Sequence, residues 1–219
     1  MSSPALIGTK GVPRPEREQQ IVAVAVEEFA ARGYSGASIV SVAARAGISK
    51  PLIYQYFGSK DGLYLACLNS VAGSLLDRLE SAERQVDDTV ASRIHPLRAV
   101  FEALAPQPSA WRLLYDPSMP ADGPIASAAD DYRRRTERIA ASGSARFLQV
   151  RGDVDALDVD VLSTVWMRIV DALVSWWLAH PEQSAAQMTA RCERLLVAVF
   201  AAEPTSPARR PRSRRARPT

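Results

Sequence analysis

The amino-acid sequence predicts an all-α protein with about nine helices. Over most of the chain, apolar residues recur three or four positions apart, which is the period of a helix buried on one face. No segment alternates apolar and polar residues in the way that a half-buried strand does. Prolines and glycines stand between the periodic segments, where they end one helix and let the next begin.

The first four helices are each predicted from a local pattern. Residues 1–15 contain three prolines and two glycines, so we expect a flexible arm there. A helix then runs from Glu16 to Gly33, where the glycine can take the positive φ of a C-terminal cap. Two short helices follow at about 38–46 and 50–56. A long helix from about Lys60 to Arg84 has an apolar stripe at every fourth position: Leu63, Cys67, Val71, Leu75 and Leu79.

Five more helices are predicted in the rest of the chain. They span about 90–104, 109–115, 125–149, 156–179 and 184–202. Five prolines between positions 106 and 124 isolate the shortest of them. Gly143 is expected to break or kink the helix at 125–149, because glycine is a poor helix former.

Length and composition limit the class of protein. A chain of 219 residues, of which 47% are apolar, can bury the core of one compact domain or of two closely packed ones. No run approaches the roughly 18 uninterrupted apolar residues of a membrane helix. The N-terminus also lacks the pattern of a signal peptide, so we expect a cytoplasmic protein without a membrane partner. Cys67 and Cys192 stand alone, and form neither a disulfide framework nor a zinc site.

Charge is distributed unevenly along the chain. Residues 1–60 carry a net charge of +3, residues 61–203 carry −6, and the arginine-rich stretch 204–219 carries +6. The two ends are therefore suited to a polyanion such as nucleic acid, and the middle is not. The last stretch has no large apolar residue to bury, so we expect it to be disordered.

The segment from Ser38 to Ile53 has the spacing of a helix-turn-helix. Ser38 can cap the first helix, and Ser49 can cap a second one that has Pro51 in its first turn. Ala43 is small where the two helices must approach closely. Gly47, four residues later, can adopt the positive φ of the turn, and Ile53, six residues after it, points back into the core.

The flanking residues make this pattern specific. Phe29, Gly33 and Tyr34 precede it, and the sequence Ile53-Tyr54-Gln55-Tyr56-Phe57 continues it into Ser59-Lys60-Asp61 and Leu63. Over about Arg17 to Leu65, roughly a quarter of the chain, this segment closely resembles the N-terminal domain of the TetR family of regulators. Gly58 is a departure at a position where many residues occur.

The resemblance implies a DNA-binding transcriptional regulator without enzymatic activity. It implies a three-helix DNA-binding domain, joined through a long fourth helix to an all-α domain that binds a ligand and dimerises. The predicted organisation is therefore an arm at 1–15, a helix-turn-helix domain at 16–60, a ligand-binding and dimerisation domain at 61–203 and a basic tail at 204–219.

The second short helix is the expected recognition helix, which reads base edges in the major groove from its first turns. Lys50 can donate to guanine and Gln55 can read adenine, while Pro51 or Leu52 can contact a thymine methyl group. Hydroxyl groups, helix N-terminal amides and Lys60 suit phosphates. The predicted DNA-binding residues are Ser38, Ser49, Lys50, Pro51, Leu52, Tyr54, Gln55, Tyr56 and Lys60. Two alternatives stay open, in which Tyr54 is a core aromatic residue and Lys60 a solvated lysine.

The second domain is expected to hold an effector pocket and a dimer interface. The resemblance implies that the helices at 156–179 and 184–202 form a four-helix bundle with a second copy. Large apolar side chains predict a pocket for an apolar or aromatic small molecule, lined by Leu75, Leu79, Leu104, Trp111, Tyr115, Trp166 and Ile169. The predicted interface residues are Leu173, Trp177, Leu195 and Val199. Burial of the tryptophans within one chain is the alternative.

The remaining polar residues indicate no enzyme, metal or cofactor site. No Ser, His and acidic residue have the spacing of a nucleophile and its base, and no glycine-rich phosphate loop is present. Asp153, Asp155, Asp158 and Asp160 lack the glycine and glutamate of a calcium loop.

The sequence thus predicts a homodimeric repressor that leaves a pseudo-palindromic operator when an effector binds. The rival interpretation is a ligand-free, nucleoid-like DNA-binding protein that uses the basic ends of the chain.

Overall fold

The computed structural model describes residues 12–85, 94–149, 152 and 154–200, without the side chains of Val197, Val199 and Phe200. Most of the predicted arm, Asp153 and the whole predicted tail lie outside these residues. Within them the chain is all-α, as predicted, and forms nine α-helices. These are α1 (Arg14–Gly36), α2 (Ile39–Arg45), α3 (Lys50–Phe57), α4 (Lys60–Arg84), α5 (His95–Leu104), α6 (Trp111–Leu114), α7 (Gly123–Gln149), α8 (Ala156–Leu178) and α9 (Ala185–Phe200).

The two glycines that were predicted to interrupt helices behave differently. Gly33 has the predicted positive φ, +68°, and breaks α1 there, although helical residues continue to Gly36. Gly143, by contrast, neither breaks nor kinks α7, which is continuous from Gly123 to Gln149. A glycine costs only about 1 kcal/mol relative to alanine within a helix. The packing of α7 against both α4 and α8 offsets that cost.

Helices α1 to α3 pack against the first half of α4 and form the N-terminal domain. Ile21, Val42, Ile53 and Leu63 are fully buried at its centre. Phe29 on α1 meets Tyr64 on α4 edge to face, with 4.8 Å between the ring centroids. The second half of α4 continues into a bundle with α5, α7, α8 and α9, so this helix belongs to both domains.

The structure corrects the placement of Trp177 at a dimer interface. Its ring is only 4% exposed within the chain, meets Phe101 edge to face at 5.5 Å, and donates from Nε1 to the carbonyl oxygen of Gln183. The reason is the rotation of α8, because Val170, Val174 and Trp177 follow one another at helical spacing on the buried face. Leu173 is half-buried against the same core, and the side chain of Val199 lies outside the described residues.

Helix α8 is strongly apolar in composition, although little of it is buried within the chain. Among the described helices, it alone has the length and composition to cross a membrane. Only 17% of its most apolar 18-residue stretch is buried within the chain. Length and composition do not distinguish such a span from a helix that packs on another protein surface. Most of the apolar surface of α8 is therefore exposed within the single chain.

Both cysteines are free and buried. Burial raises the pKa of the Cys67 thiol and also that of the Cys192 thiol, so each favours the protonated form. Because the thiolate is the reactive form, these side chains are suited to packing.

The two domains are joined by the buried carboxylate of Asp116, in the loop after α6. Its Oδ2 accepts from the backbone N–H of Tyr34 at 2.5 Å and from the hydroxyl of Tyr64 at 3.3 Å. Its Oδ1 accepts from the backbone N–H and the hydroxyl of Ser118. A side chain at Gly33 would collide with Ser118 Oγ, 2.7 Å from the Cβ position, so glycine lets the domains approach this closely.

We predict that Asp116→Asn lowers the free energy of unfolding by about 1–3 kcal/mol. The amide has the size of the carboxylate, but its NH2 group would face N–H and O–H donors. Thermal or urea unfolding measures the loss. Asp122→Asn is the control, because Asp122 is exposed in the same loop and should change stability by less than about 0.5 kcal/mol. Equal stability of the two variants would contradict a joining role for Asp116.

Candidate DNA interface and ligand cavity

Helices α2 and α3 form the predicted helix-turn-helix. Gly47 has φ +66° in the turn between them, where the N–H of Ile48 donates to the carbonyl oxygen of Ala43 at 3.0 Å. Ala43 is 4% exposed and Ile53 is fully buried, so both take the predicted positions between the helices. The packing leaves the opposite side of α3 open to solvent.

Ser38 caps α2 as predicted, and a second residue supports it. The Ser38 hydroxyl oxygen accepts from the N–H of Ser41 at 3.3 Å. The carboxylate of Glu28, which is 4% exposed, accepts from the Ser38 N–H and from the Ser41 hydroxyl. Arg32 lies 3.2 Å from the same carboxylate and offsets its charge. Glu28 is therefore a positioning residue for the start of α2 that the sequence pattern did not reveal.

Predicted DNA-binding residues occupy the exposed side of α3. Lys50, Pro51, Tyr54 and Gln55 are exposed, and Leu52 is half-buried. The Lys50 ammonium group lies 5.6 Å from the centre of the Tyr54 ring, a distance at which cation and ring attract. Tyr54 is thus not a core residue, since 38% of it is exposed.

Ser49 stands at the N-terminus of α3, but its hydroxyl makes no capping hydrogen bond. Its carbonyl oxygen instead accepts from the N–H of Leu52 at 3.0 Å. The expected side-chain cap is therefore absent, and the exposed hydroxyl is available to another partner.

Arg14 is a basic residue of this surface that the sequence pattern missed. It was expected in the flexible arm, but it begins α1 and lies over the half-buried Tyr56 ring, 5.2 Å from its centre. Arg45 pairs with Glu27 and Arg32 with Glu28, whereas the buried Arg17 donates to Gln20. Arg14 and Lys50 instead lie over tyrosine rings, where the positive charge remains accessible to an anion.

Lys60 is not the fully solvated lysine of the alternative interpretation. Its ammonium group donates to the carbonyl oxygens of Ser35 at 3.3 Å and Ala37 at 2.9 Å, and lies 5.0 Å from the centre of the Tyr34 ring. The Tyr34 hydroxyl donates to Asp61 at 2.6 Å, which raises the pKa of Tyr34. Lys60 therefore fastens the start of α4 to the end of α1.

The backbone also joins α3 tightly to α4. Gly58 ends α3 with φ +74°, and the hydroxyl oxygen of Ser59 caps α4 by accepting from the N–H of Gly62 at 3.0 Å. A Cβ atom at Gly62 would collide with the carbonyl oxygen of Phe57. Glycine at this position lets α4 begin directly against the last turn of the recognition helix.

A mostly apolar cavity of about 230 Å³ lies between α4, α5, α7 and α8. Four of the predicted pocket residues line it: Leu75, Leu79, Trp111 and Trp166. The other three do not. Leu104 is in the core at the end of α5, Tyr115 is 39% exposed, and Ile169 is 42% exposed on the other side of α8. Ile169 precedes the buried Val170, so it lies about 100° away around the helix.

Trp111 also borders a second cavity, of about 610 Å³, between the end of α1, the loop after α6 and the end of α8. Its Nε1 donates to Asp171 at 3.2 Å, and Tyr115 packs on its ring at 4.9 Å. Tyr115 and the loop residue Asp116 line this second cavity. Trp111 therefore separates the apolar cavity from the contact between the domains.

The outward side of α8 presents an apolar stripe. Leu157, Val161, Val165 and Ile169 recur every four residues, each between 42% and 74% exposed, and Trp176 extends the row. Leu195 on α9 is 57% exposed. Around the helix, Val165 is opposite Val174, which is fully buried. Two apolar faces on opposite sides of one helix explain why α8 is apolar but little buried.

The fold and these surfaces define a class of protein, in which a helix-turn-helix is coupled through one long helix to an all-α domain with a cavity. Two family models match the chain: "Bacterial regulatory proteins, tetR family" over residues 21–67, and "Tetracyclin repressor-like, C-terminal domain" over residues 95–199. Together they match more than two thirds of it. The chain therefore belongs to the TetR family of DNA-binding transcriptional regulators, which are not enzymes.

Similar proteins agree with this assignment. The chain is 35% identical over 105 residues to the HTH-type transcriptional activator FasR of Mycolicibacterium smegmatis, a match that covers 48% of each chain. The matches span about half the length, or less, of the curated relatives.

Two solved structures show the same fold. The TetR-like transcriptional regulator from Rhodococcus sp. RHA1 is 23% identical, with a TM-score of 0.68 over 88% of this chain and 100% of that one. FadR from Bacillus subtilis, in complex with stearoyl-CoA, is 18% identical, with a TM-score of 0.64 over 82% of this chain and 97% of that one.

We predict different effects for the two cations on the exposed surface. Lys50→Ala should cost about 1–3 kcal/mol of operator binding and relax the preference at one base pair, because Lys50 is predicted to contact a base edge. Arg14→Ala should weaken binding to all sequences alike and reduce the salt dependence, because we expect Arg14 to contact a phosphate, which carries no sequence information.

Binding to an operator and to its single-base variants, at several salt concentrations, measures both effects. Arg138→Ala, on the exposed side of α7, is the matched control and should leave binding unchanged. A change of sequence preference in Arg14→Ala, with none in Lys50→Ala, would reverse the two assignments.

Proposed function

We propose that this chain is a homodimeric repressor that leaves its operator when an apolar effector enters the cavity of its second domain. The observation that carries the proposal is the exposed side of α3, where Lys50, Pro51, Tyr54 and Gln55 are open to solvent above a rigid helix-turn-helix. A DNA-binding protein of this kind acts where the genome is, so we place it in the cytoplasm.

On DNA, α3 would enter the major groove with Lys50 and Gln55 facing base edges. Tyr54, Tyr56, Ser49 and Arg14 surround this face and can donate to phosphates. Ser38 at the start of α2 would contribute its hydroxyl group. The Lys60 ammonium group already donates to two backbone carbonyl oxygens, so its main contribution would be to hold α4 against α1. Its third N–H donor could still bind a phosphate.

Dimerisation would cover the outward stripe of α8 together with Leu195 of α9. Contiguous apolar side chains at this density are typical of a protein interface. A two-fold dimer would present two recognition helices to half-sites about one helical turn, or roughly 34–36 Å, apart on a pseudo-palindrome.

The effector would occupy the apolar cavity and act on the DNA-binding domain through α6. FadR from Bacillus subtilis, which shares the fold, binds stearoyl-CoA, so a long apolar chain is a ligand that this architecture can hold. A ligand beside Trp111 would press on the helix that leads to Asp116 and thus on the contact with Tyr34. A coupling of about 1–3 kcal/mol is enough to change operator occupancy several-fold or more.

We propose repression as the direction of control. FasR is named as an activator, and the sequence similarity to it covers about half of the chain. Expression of a reporter from the bound promoter, with and without the chain, separates repression from activation.

Selection of bound fragments from genomic DNA tests the function as a whole. A sequence-specific dimer should enrich one pseudo-palindromic sequence, and an apolar effector should release it. The nucleoid-like alternative predicts weak sequence preference and a steep loss of affinity with salt. Enrichment of unrelated fragments would therefore overturn the proposal in favour of that alternative.

We predict that Val165→Glu converts the dimer into monomers and abolishes operator binding. The variant buries a carboxylate in an apolar interface, which costs several kcal/mol, and one half-site alone supplies too little binding energy. Sedimentation and operator titration measure the two effects. Ser127→Glu, at an exposed polar position on α7, introduces the same charge as a control. A stable dimer with unchanged operator affinity would place the interface elsewhere.

A further inference from the structure

The apolar cavity has chemically different ends. At the end near the DNA-binding domain it is lined by Trp111 and Tyr132, and burial raises the pKa of the Tyr132 hydroxyl, which stays neutral. At the other end it is lined by Glu83 of α4 and Arg146 of α7. The lining residues of α7 run from Tyr132 to Phe147, a rise of about 22 Å along the helix axis. The cavity is therefore elongated, with charge at one end only.

The guanidinium group of Arg146 is incompletely paired at that charged end. One of its terminal nitrogens lies 3.2 Å from Glu83 Oε1 and 3.0 Å from Ser142 Oγ. Its Nε is buried and has no hydrogen-bond acceptor among the described residues. A buried donor without a partner costs free energy, and a guanidinium can bind a carboxylate through two parallel hydrogen bonds. Arg146 therefore has an N–H donor that is free to bind an anion, and its side chain is 40% exposed.

We propose that the cavity binds an amphipathic anion, with its anionic head group at Arg146 and its apolar chain directed towards Trp111. The inference deepens the proposed function, because this ligand would be the effector. The head group would take the place of Glu83 beside Arg146, or share the guanidinium with it. A volume of about 230 Å³ corresponds to roughly eight water-sized groups, so the enclosed part of the chain is of medium length.

The anionic head group has two chemical sources, which the experiment separates. A free fatty acid carries its own carboxylate, whereas an acyl-CoA carries phosphates beyond a neutral thioester. Octanoate, octanoyl-CoA and the uncharged 1-octanol present the same chain with different heads. Binding of each to the full-length protein, without DNA, is followed by calorimetry.

We expect Arg146→Gln to weaken the binding of the anionic probe by about tenfold to a hundredfold, because a charged hydrogen bond is lost. The variant should bind 1-octanol as the wild type does, which also shows that the cavity has folded. Glu83→Gln should strengthen anion binding, because it removes the competing carboxylate. Arg138→Gln, on the exposed side of α7, is the matched control and should change nothing.

Loss of octanoate binding in Arg146→Gln assigns the head group to a carboxylate, and loss of octanoyl-CoA binding alone assigns it to the phosphates. Equal affinity for all three probes, unaffected by either variant, would overturn the inference, as would binding of none of the probes. Binding through Arg146 that leaves operator affinity unchanged would support the site and count against its role as an effector site.

Discussion

One buried carboxylate lies at the centre of the contact between the two domains. Asp116 accepts hydrogen bonds from the backbone of Tyr34 in α1, from the hydroxyl of Tyr64 in α4 and from Ser118 in its own loop. These donors come from three separate segments, so their relative positions are fixed as long as the carboxylate is satisfied. The glycine at position 33 is part of the same constraint, because only a residue without a side chain leaves room for Ser118. This arrangement, together with the continuous helix α4, sets the orientation of the helix-turn-helix relative to the bundle.

Helix α8 shows how one element can serve three surfaces. Val174 and Trp177 lie in the core, Trp166 lines the cavity, and Val165 lies on the outward stripe. Because these faces share one rigid backbone, a change in the cavity would alter both the core packing and the outward stripe. The same property made α8 hard to interpret from sequence, since a helix that is apolar on most sides gives a weak indication of which side is buried.

The local parts of the structure were predictable, and the parts that depend on helix rotation were not. The turn at Gly47, the small Ala43 and the buried Ile53 are set by neighbours in sequence, and the helix-turn-helix was predicted from them. Trp177 and Ile169 were assigned to the wrong sides of α8, because the angle at which a helix meets its bundle is a tertiary property. The environments of Lys60 and Arg14 were missed for a related reason, since their partners come from other helices.

The close approach of α3 to α4 at Gly62 has a mechanical consequence. Because the last turn of α3 abuts the first turn of α4, and Lys60 ties that turn to α1, we expect these segments to move together. Helix α4 has 25 residues and a length of about 37 Å, so it acts as a lever. A tilt of about 5° around its distal end would displace the proximal end by roughly 3 Å, a distance comparable to the length of a hydrogen bond. In the proposed mechanism, a ligand would need to rotate the lever only slightly for the attached helix to lose its alignment with the base edges.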